Sequence, residues 1–261
     1  MKPGRALVTG GGQRLGAAMA VRLAERGFAV AIHFHSSEEP AARVVEQCCA
    51  AGANARALSA DLLDPDATVE LVDRAGAVLG GPLTLLVNNA SIFEHDNIAT
   101  ATPQSWDRHI GSNLRAPFQL TQAFAKQAPK GARDAAGEPI ASACIVNMID
   151  QRVWKLTPEF STYTIAKAGL WTLTQIAAQG LAPDIRVNGI GPGPALRGVR
   201  QSEEHFAAQR DATILKRGTS PKEICTALDF ILDAPGLTGQ LICLDGGQHL
   251  AWKTPDVLGV E

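Results

Sequence analysis

The chain has 261 residues, with 24 Lys+Arg against 26 Asp+Glu, a net charge of −2 and a pI of about 6.3. This near-balance excludes non-specific nucleic-acid binding as an expectation, because counterion release needs a concentrated basic surface. At 46% hydrophobic and 19% charged the sequence can bury a large core, and no apolar run approaches the ~18–20 residues needed to span a bilayer, so neither a disordered chain nor a membrane protein is expected.

Short apolar runs alternate with segments of helical period. The N-terminal Lys2 and Arg5 lead into Ala6, Leu7 and Val8 and then glycine, too short an apolar core for a signal peptide, and the expected location is cytoplasmic. Residues 6–8 read as the first strand. Gly16, Met19, Ala20, Leu23, Ala24 and Gly27 then form one continuous helical stripe. A strand is predicted over 28–34, a helix over 38–51, a strand over 54–60, a helix from Asp64-Pro65 to Gly80-Gly81, and a strand over 83–87. Helices near 103–128, 158–181 and 221–233 alternate with strands at 143–148, 185–187 and 240–244, and residues 129–139 read as a surface excursion.

Such βαβ repetition requires parallel strands joined by crossover helices. The expected fold is α/β: one doubly wound Rossmann domain over 1–261, with a parallel sheet of about seven strands flanked by helices. Ligands on such sheets bind where the strand order reverses, at the carboxyl ends of the strands. The five cysteines show no C-x-x-C and mostly sit in apolar stretches, so they read as buried hydrophobes of a reducing compartment; no metal is expected, since the six histidines show no H-E-x-x-H.

Thr9-Gly10-Gly11-Gly12-Gln13-Arg14-Leu15-Gly16 joins the first strand to the first helix. Glycines there let the backbone approach a pyrophosphate at the positive end of the helix, and the spacing is not a Walker loop. About 20 residues further on, where an NAD site places an acid, stand His33, Phe34, His35, Ser36 and Ser37, with no carboxylate. The serines, the following helix start and Arg14 suit a 2′-phosphate, so NADP(H) is the expected cofactor; Ser36 or Ser37 as a simple helix cap is the other reading. Asp61, followed by Leu62, is placed either to meet an adenine amino group or to cap a helix.

The single tyrosine, Tyr163, precedes Lys167 by one helical turn. An ammonium beside a phenol stabilises phenolate, so Lys167 is expected to bring the Tyr163 pKa down toward working pH and make it a proton donor. The glycine loop, Asn88-Asn89-Ala90, Asn113, this Tyr-x-x-x-Lys pair, Pro192-Gly193 and Leu244-Asp245-Gly246-Gly247 occur together in an order that resembles the short-chain dehydrogenase/reductases over essentially the whole chain. The resemblance implies that Asn113 supports a water chain to Lys167, that Lys167 holds the nicotinamide ribose, and that Pro192 and Gly193 line the nicotinamide. It also implies cofactor contacts for Gly10, Gln13, Leu15, Gly16, Asn89, Ala90, Ser91 and Met148, a homotetramer, and a small-molecule substrate.

Two positions depart from the general family pattern. Arg14 replaces the middle glycine of T-G-x-x-x-G-x-G, and Asp150 replaces the serine thirteen residues before the tyrosine. Both resemble the pteridine reductase branch. An ionised Asp150 would repel a developing oxyanion, whereas a protonated one can deliver a proton to a ring nitrogen, directly or through water, so reduction of a pterin-type ring is expected over carbonyl reduction. In that reading Phe93 stacks on the pterin, with a core phenylalanine as the other possibility, and Ser91 and Arg14 meet its polar edge or the cofactor phosphate. A simple turn-capping Asp150 is the competing reading. Trp154, Leu196 and residues 194–218 are expected as a substrate lid, and the tail 246–261, with Trp252, as a segment able to reach a neighbouring site. Two further readings remain: a reductase of another carbonyl or imine, and an NADP(H)-sensing protein without turnover.

Overall fold

In the computed structural model, which describes residues 1–198 and 201–253, nine strands and eight α-helices alternate. They are β1 (Arg5–Val8), α1 (Arg14–Glu25), β2 (Ala29–Phe34), α2 (Glu38–Ala50), β3 (Ala55–Ser59), α3 (Pro65–Leu79), β4 (Leu85–Asn88), α4 (Pro103–Ile110), α5 (Ala116–Gln127), β5 (Ala132–Arg133), β6 (Pro139–Ile140), β7 (Ala143–Met148), α6 (Ser161–Gly180), β8 (Ile185–Pro192), α7 (Glu203–Asp211), α8 (Pro221–Asp233) and β9 (Leu241–Leu244). Seven strands form one sheet in the order β3-β2-β1-β4-β7-β8-β9, every neighbouring pair parallel. The reversal lies between β1 and β4, and the glycine loop leaves β1 at that point.

The sheet is covered on both faces because successive strand residues point to opposite sides. Ala6 and Val8 of β1 and Val146 of β7 pack in one core, under α1, α2 and α8. Leu7 and Ile145 pack in the other, with side chains of α3, α5 and α6. The stripe read from Gly16 to Ala24 is the buried face of α1. Cys48, Cys144 and Cys225 are buried, but Cys49 is exposed.

Three boundaries differ from the sequence reading. The single helix expected over 103–128 is broken by a π-helical turn, Gly111–Arg115. Pro117 has no N–H to return to the Asn113 carbonyl, so the helix widens where that bond is missing. β8 continues through Asn188-Gly189-Ile190-Gly191 to Pro192, glycines that hide its strand character; a Cβ on Gly189 would lie 2.4 Å from Ile149 Cδ1. The excursion 129–139 carries the small antiparallel β5–β6 pair. Among the described residues no helix is long and apolar enough to cross a membrane.

Candidate active site

A cleft of about 490 Å3 opens at the carboxyl ends of β1, β4, β7 and β8. Its floor is set by short polar ties between strands. The Thr9 hydroxyl accepts from the backbone N–H groups of Asn89 (2.9 Å) and Ala90 (3.0 Å), and Asn89 Nδ2 donates to Thr9 O and Gly10 O. Behind them the Asn88 amide donates to Asn147 Oδ1, and Asn147 Nδ2 to the Thr174 hydroxyl on α6, each at 2.8 Å. These bonds tie β4 to β1 and β7 beneath the cleft, although the buried Asn88 Oδ1 is left without a partner among the described residues.

The glycine loop fits a pyrophosphate. A Cβ on Gly16 would stand 2.2 Å from Gly10 O, and α1 begins with no side-chain cap and no acid in its first turn. Its free N–H groups and dipole therefore face the cleft uncompensated, the arrangement that favours an anion. Arg14 has φ +54, the left-handed conformation that explains a glycine at this place elsewhere, and its guanidinium donates to Leu196 O (3.1 Å) and Arg197 O (2.9 Å). The cation expected to meet phosphate or pterin thus also ties the loop to residues 196–197.

Gly10, Gln13, Arg14, Leu15, Gly16, Phe34, His35, Ser37, Asn89, Ala90, Ser91, Met148, Pro192 and Gly193 all line the cleft, as expected for a cofactor site. Others do not. His33 lies behind the loop, 2% exposed, where Nδ1 accepts from Gly10 N (3.0 Å) and Nε2 donates to Ala60 O (3.1 Å). Burial pulls its pKa down to about 4, so it is a neutral strut of the loop and not a cofactor contact. Leu62 is buried in the core, and Ser36 and Asp61 stand outside the lining. Asp61 accepts from Leu63 N and lies 3.3 Å from His35 Nδ1, while Ser37 starts α2 without forming a capping bond.

The reacting residues converge. Tyr163 is 6% exposed and donates its hydroxyl proton to Asp150 Oδ2 at 2.9 Å, while Asp150 Oδ1 accepts from Arg152 N at 2.9 Å. Asp150 is therefore both the turn cap and a cleft acid, one oxygen for each task. Burial, the largest influence, raises its pKa above the carboxylate range, so a protonated form is accessible. Ser91 sits beside the Tyr163 hydroxyl.

One expectation is corrected. Lys167 does not bring the phenol down: burial, followed by the Asp150 charge, raises Tyr163 well above the usual phenol value. The Lys167 ammonium is 5.7 Å from the Tyr163 ring centroid and donates to Met148 O at 2.7 Å; burial lowers its own pKa to about 8. In this geometry burial holds Tyr163 as a neutral hydroxyl and favours the protonated form of Asp150 and the uncharged form of Lys167. Asn113 is also reassigned. It lies off the cleft, with Oδ1 accepting from Ile92 N and Nδ2 donating to Ile92 O, both 2.8 Å, and so positions the Ser91–Phe93 turn.

Phe93 is no core residue: it lines the cleft, 52% exposed, with its ring stacked on Phe160 (4.3 Å, 9°) and edge-on to Tyr163 (4.7 Å). Pro194, Ala195, Leu196, Gly198, Gln201, Phe206 and Gln209 form the wall expected of 194–218, but Trp154 packs edge-to-face on His249 and lies off the cleft. From the tail, Gln248 returns to this chain's own cleft, where its carbonyl accepts from Lys155; residues 254–261 lie outside the described set. The sequence reading missed Phe160, Gln151 and Arg152, and also Asp96, which accepts from Thr162 N (3.1 Å) and from the Thr162 hydroxyl at the start of α6. No motif marks these; Asp96 and Phe160 matter through partners distant in sequence, Thr162 and Phe93, while Gln151 and Arg152 sit in a short turn with no signature.

The pattern of the short chain dehydrogenase family matches residues 5–207. A crystal structure of FolM alternative dihydrofolate reductase 1 from Brucella suis in complex with NADP is 41% identical, with TM-score 0.89 and coverage of 97% of this chain and 98% of that one. The corresponding Brucella canis structure, also complexed with NADP, is 40% identical at TM-score 0.87, covering 97% of each chain. The 3-oxoacyl-[acyl-carrier-protein] reductase FabG of Staphylococcus aureus is 30% identical over 250 residues, 94% of this chain and 98% of its own. With its glycine loop, Tyr163 and Lys167 gathered around one cleft at the carboxyl edge of a parallel sheet, the chain belongs to the short-chain dehydrogenase family of oxidoreductases.

Proposed function

We propose that this enzyme reduces a C=N bond of a pterin-type ring with NADPH. The observation that carries the reading is the 2.9 Å bond between Tyr163 and Asp150 inside the cleft. A neutral hydroxyl at position 150 would suit a carbonyl oxygen becoming an oxyanion; a carboxylate would oppose that charge. A carboxyl with raised pKa instead supplies a proton to ring nitrogen as hydride reaches the adjacent carbon, and its ionised form accepts N–H donors from a flat nitrogen-rich ring.

The bound dinucleotide supplies the hydride. The loop from Gly10 to Gly16 and the start of α1 would hold its pyrophosphate, Met148, Pro192 and Gly193 the nicotinamide end, and Lys167 the ribose. Tyr163 and Asp150 share the proton, Phe93 offers a ring face, and the wall of Pro194, Leu196, Gln201 and Phe206 restricts water. The resemblance to NADP complexes at 40–41% identity supports both cofactor and ring class.

The test is NADPH oxidation with dihydrobiopterin, dihydromonapterin and dihydrofolate against a 3-oxoacyl thioester and simple ketones. Pterin-type substrates are expected to exceed the others in kcat/KM by about a hundredfold or more. Equal or faster turnover of the thioester would replace this reading with carbonyl reduction, and tight NADPH binding without turnover of any substrate would favour a sensor.

A further inference from the structure

The short 3-10 turn after Asp150, Gln151–Val153, places two side chains in the cleft that the proposed ring chemistry does not use. Arg152 donates from Nη1 to the Thr157 hydroxyl at 2.9 Å, and its guanidinium lies 4.9 Å from the Phe160 ring centroid. It forms no ion pair with any described residue, and the nearby acids are committed elsewhere: Glu159 to His95, and Asp150 to Tyr163 and to the Arg152 backbone. The Asp150 charge acts on Arg152 through space without an ion pair, so the guanidinium keeps donors to spare in the cleft, and such a group is a ready carboxylate site.

Gln151 gives a second, independent sign that a ligand completes this turn. It is 6% exposed and lines the cleft, yet its Oε1 is buried with no hydrogen-bond partner. An unpaired buried acceptor is costly, and this one adjoins the turn that carries Arg152.

Phe160 ties this turn to the ring platform. It stacks on Phe93 and supports Arg152, and its own backbone is held at φ +59 by a bond from Phe160 N to Asp96 O at 2.6 Å. The side chain expected to face the ring and the one with the free charge therefore lean on a single fixed aromatic.

We propose that Arg152 anchors a carboxylate-bearing arm of the substrate, selecting ring substrates that carry an anionic extension over those with short neutral substituents. The inference rests on the pterin-ring reading and deepens it by naming the substrate class within it.

Two measurements test it. In steady-state assays, dihydrofolate carries the anionic arm and dihydrobiopterin and dihydromonapterin the neutral one. Arg152→Gln is expected to lower the ratio of kcat/KM for dihydrofolate to that for the neutral pterins at least about tenfold, chiefly through KM, while Arg152→Lys recovers part of it. An unchanged ratio, with both substrate types falling together, would mean that Arg152 serves the Asp150–Tyr163 pair and would overturn the proposal. Calorimetric binding of folic acid and biopterin to the NADP complex reads the same preference without turnover. Arg152-dependent folic acid binding in an enzyme that reduces no pterin would retain the subsite and reject the ring reading. Reduction of the neutral pterins with no preference for folic acid in binding or of dihydrofolate in turnover would retain the ring reading and reject the subsite. Failure of both to bind or react would reject both.

Discussion

The two sides of the cleft are built differently. On the β1–β3 side the parts are close in sequence: residues 10–16 form the loop, and His33 from the next strand supports it through Gly10 N. On the β7–β8 side the contacts are built on side chains drawn from short and long separations alike, Asp150 with Tyr163 and Arg152 with Thr157 on one hand, Asp96 with Thr162 and Gln248 with Lys155 on the other. The first side is a rigid cradle set by backbone fit. The second is an assembly of side chains whose protonation and position depend on one another, which allows substrate choice to change while the cradle stays the same.

The largest effects should separate the chemistry of the second side from the binding of the first. Tyr163→Phe is expected to lower kcat by about a thousandfold while NADPH binding, followed by fluorescence, persists. Asp150→Asn is expected to cost about a hundredfold and to change the pH profile. Because the Asp150 pKa is raised, the wild-type rate should fall as pH climbs through that raised value, and the limb should vanish in the variant. A limb that survives Asp150→Asn would assign the proton to another group.

The cradle can be broken by one methyl group. In Gly16→Ala the added carbon would lie 2.2 Å from Gly10 O, a backbone atom, and 2.5 Å from Asn89 Nδ2, a side-chain amide held by Thr9 O and Gly10 O. The expected cost is about 1–3 kcal/mol of stability, with weakened NADPH affinity, measured by urea unfolding and fluorescence titration. Wild-type stability together with wild-type affinity would show that the loop does not need this close approach.

The smallest effect on activity, but a distinctive one on stability, concerns His33. Its folded pKa of about 4 lies below the unfolded value of 6.5, so its contribution is complete above pH 6.5 and is lost as pH falls toward 4. The loss amounts to about 3 kcal/mol by pH 4. Unfolding curves of the wild type and His33→Asn should therefore converge on acidification; parallel curves would mean that the imidazole charges without penalty.

Much of this was legible beforehand. Strand β7 and helix α8 fall where hydrophobic pattern and caps place them, at Ala143–Met148 and Pro221–Asp233. The glycine loop and the Tyr163–Lys167 pair were readable because turn chemistry and helical spacing act over a few residues, whereas Asp150 came through the resemblance, as the residue at the place of the family's serine. The π turn at Asn113 was less so, since the helical period continues through Gly111–Arg115 and only the missing N–H of Pro117 hints at it. Phe160 was invisible, because its importance comes from Phe93 and Arg152 meeting at its ring.

The amino-acid order by itself determined the layered sheet, the place of the glycine loop and the shared helix face of Tyr163 and Lys167, since these follow from periodicity, glycine sterics and i,i+4 geometry. Only the tertiary structure decided the protonation states and neighbours. Burial sets Tyr163 high, Lys167 low at about 8 and Asp150 above its normal range, reversing the simple expectation for an isolated Tyr–Lys pair. Desolvation depends on what the whole fold packs around a group, and no local stretch of sequence carries that information.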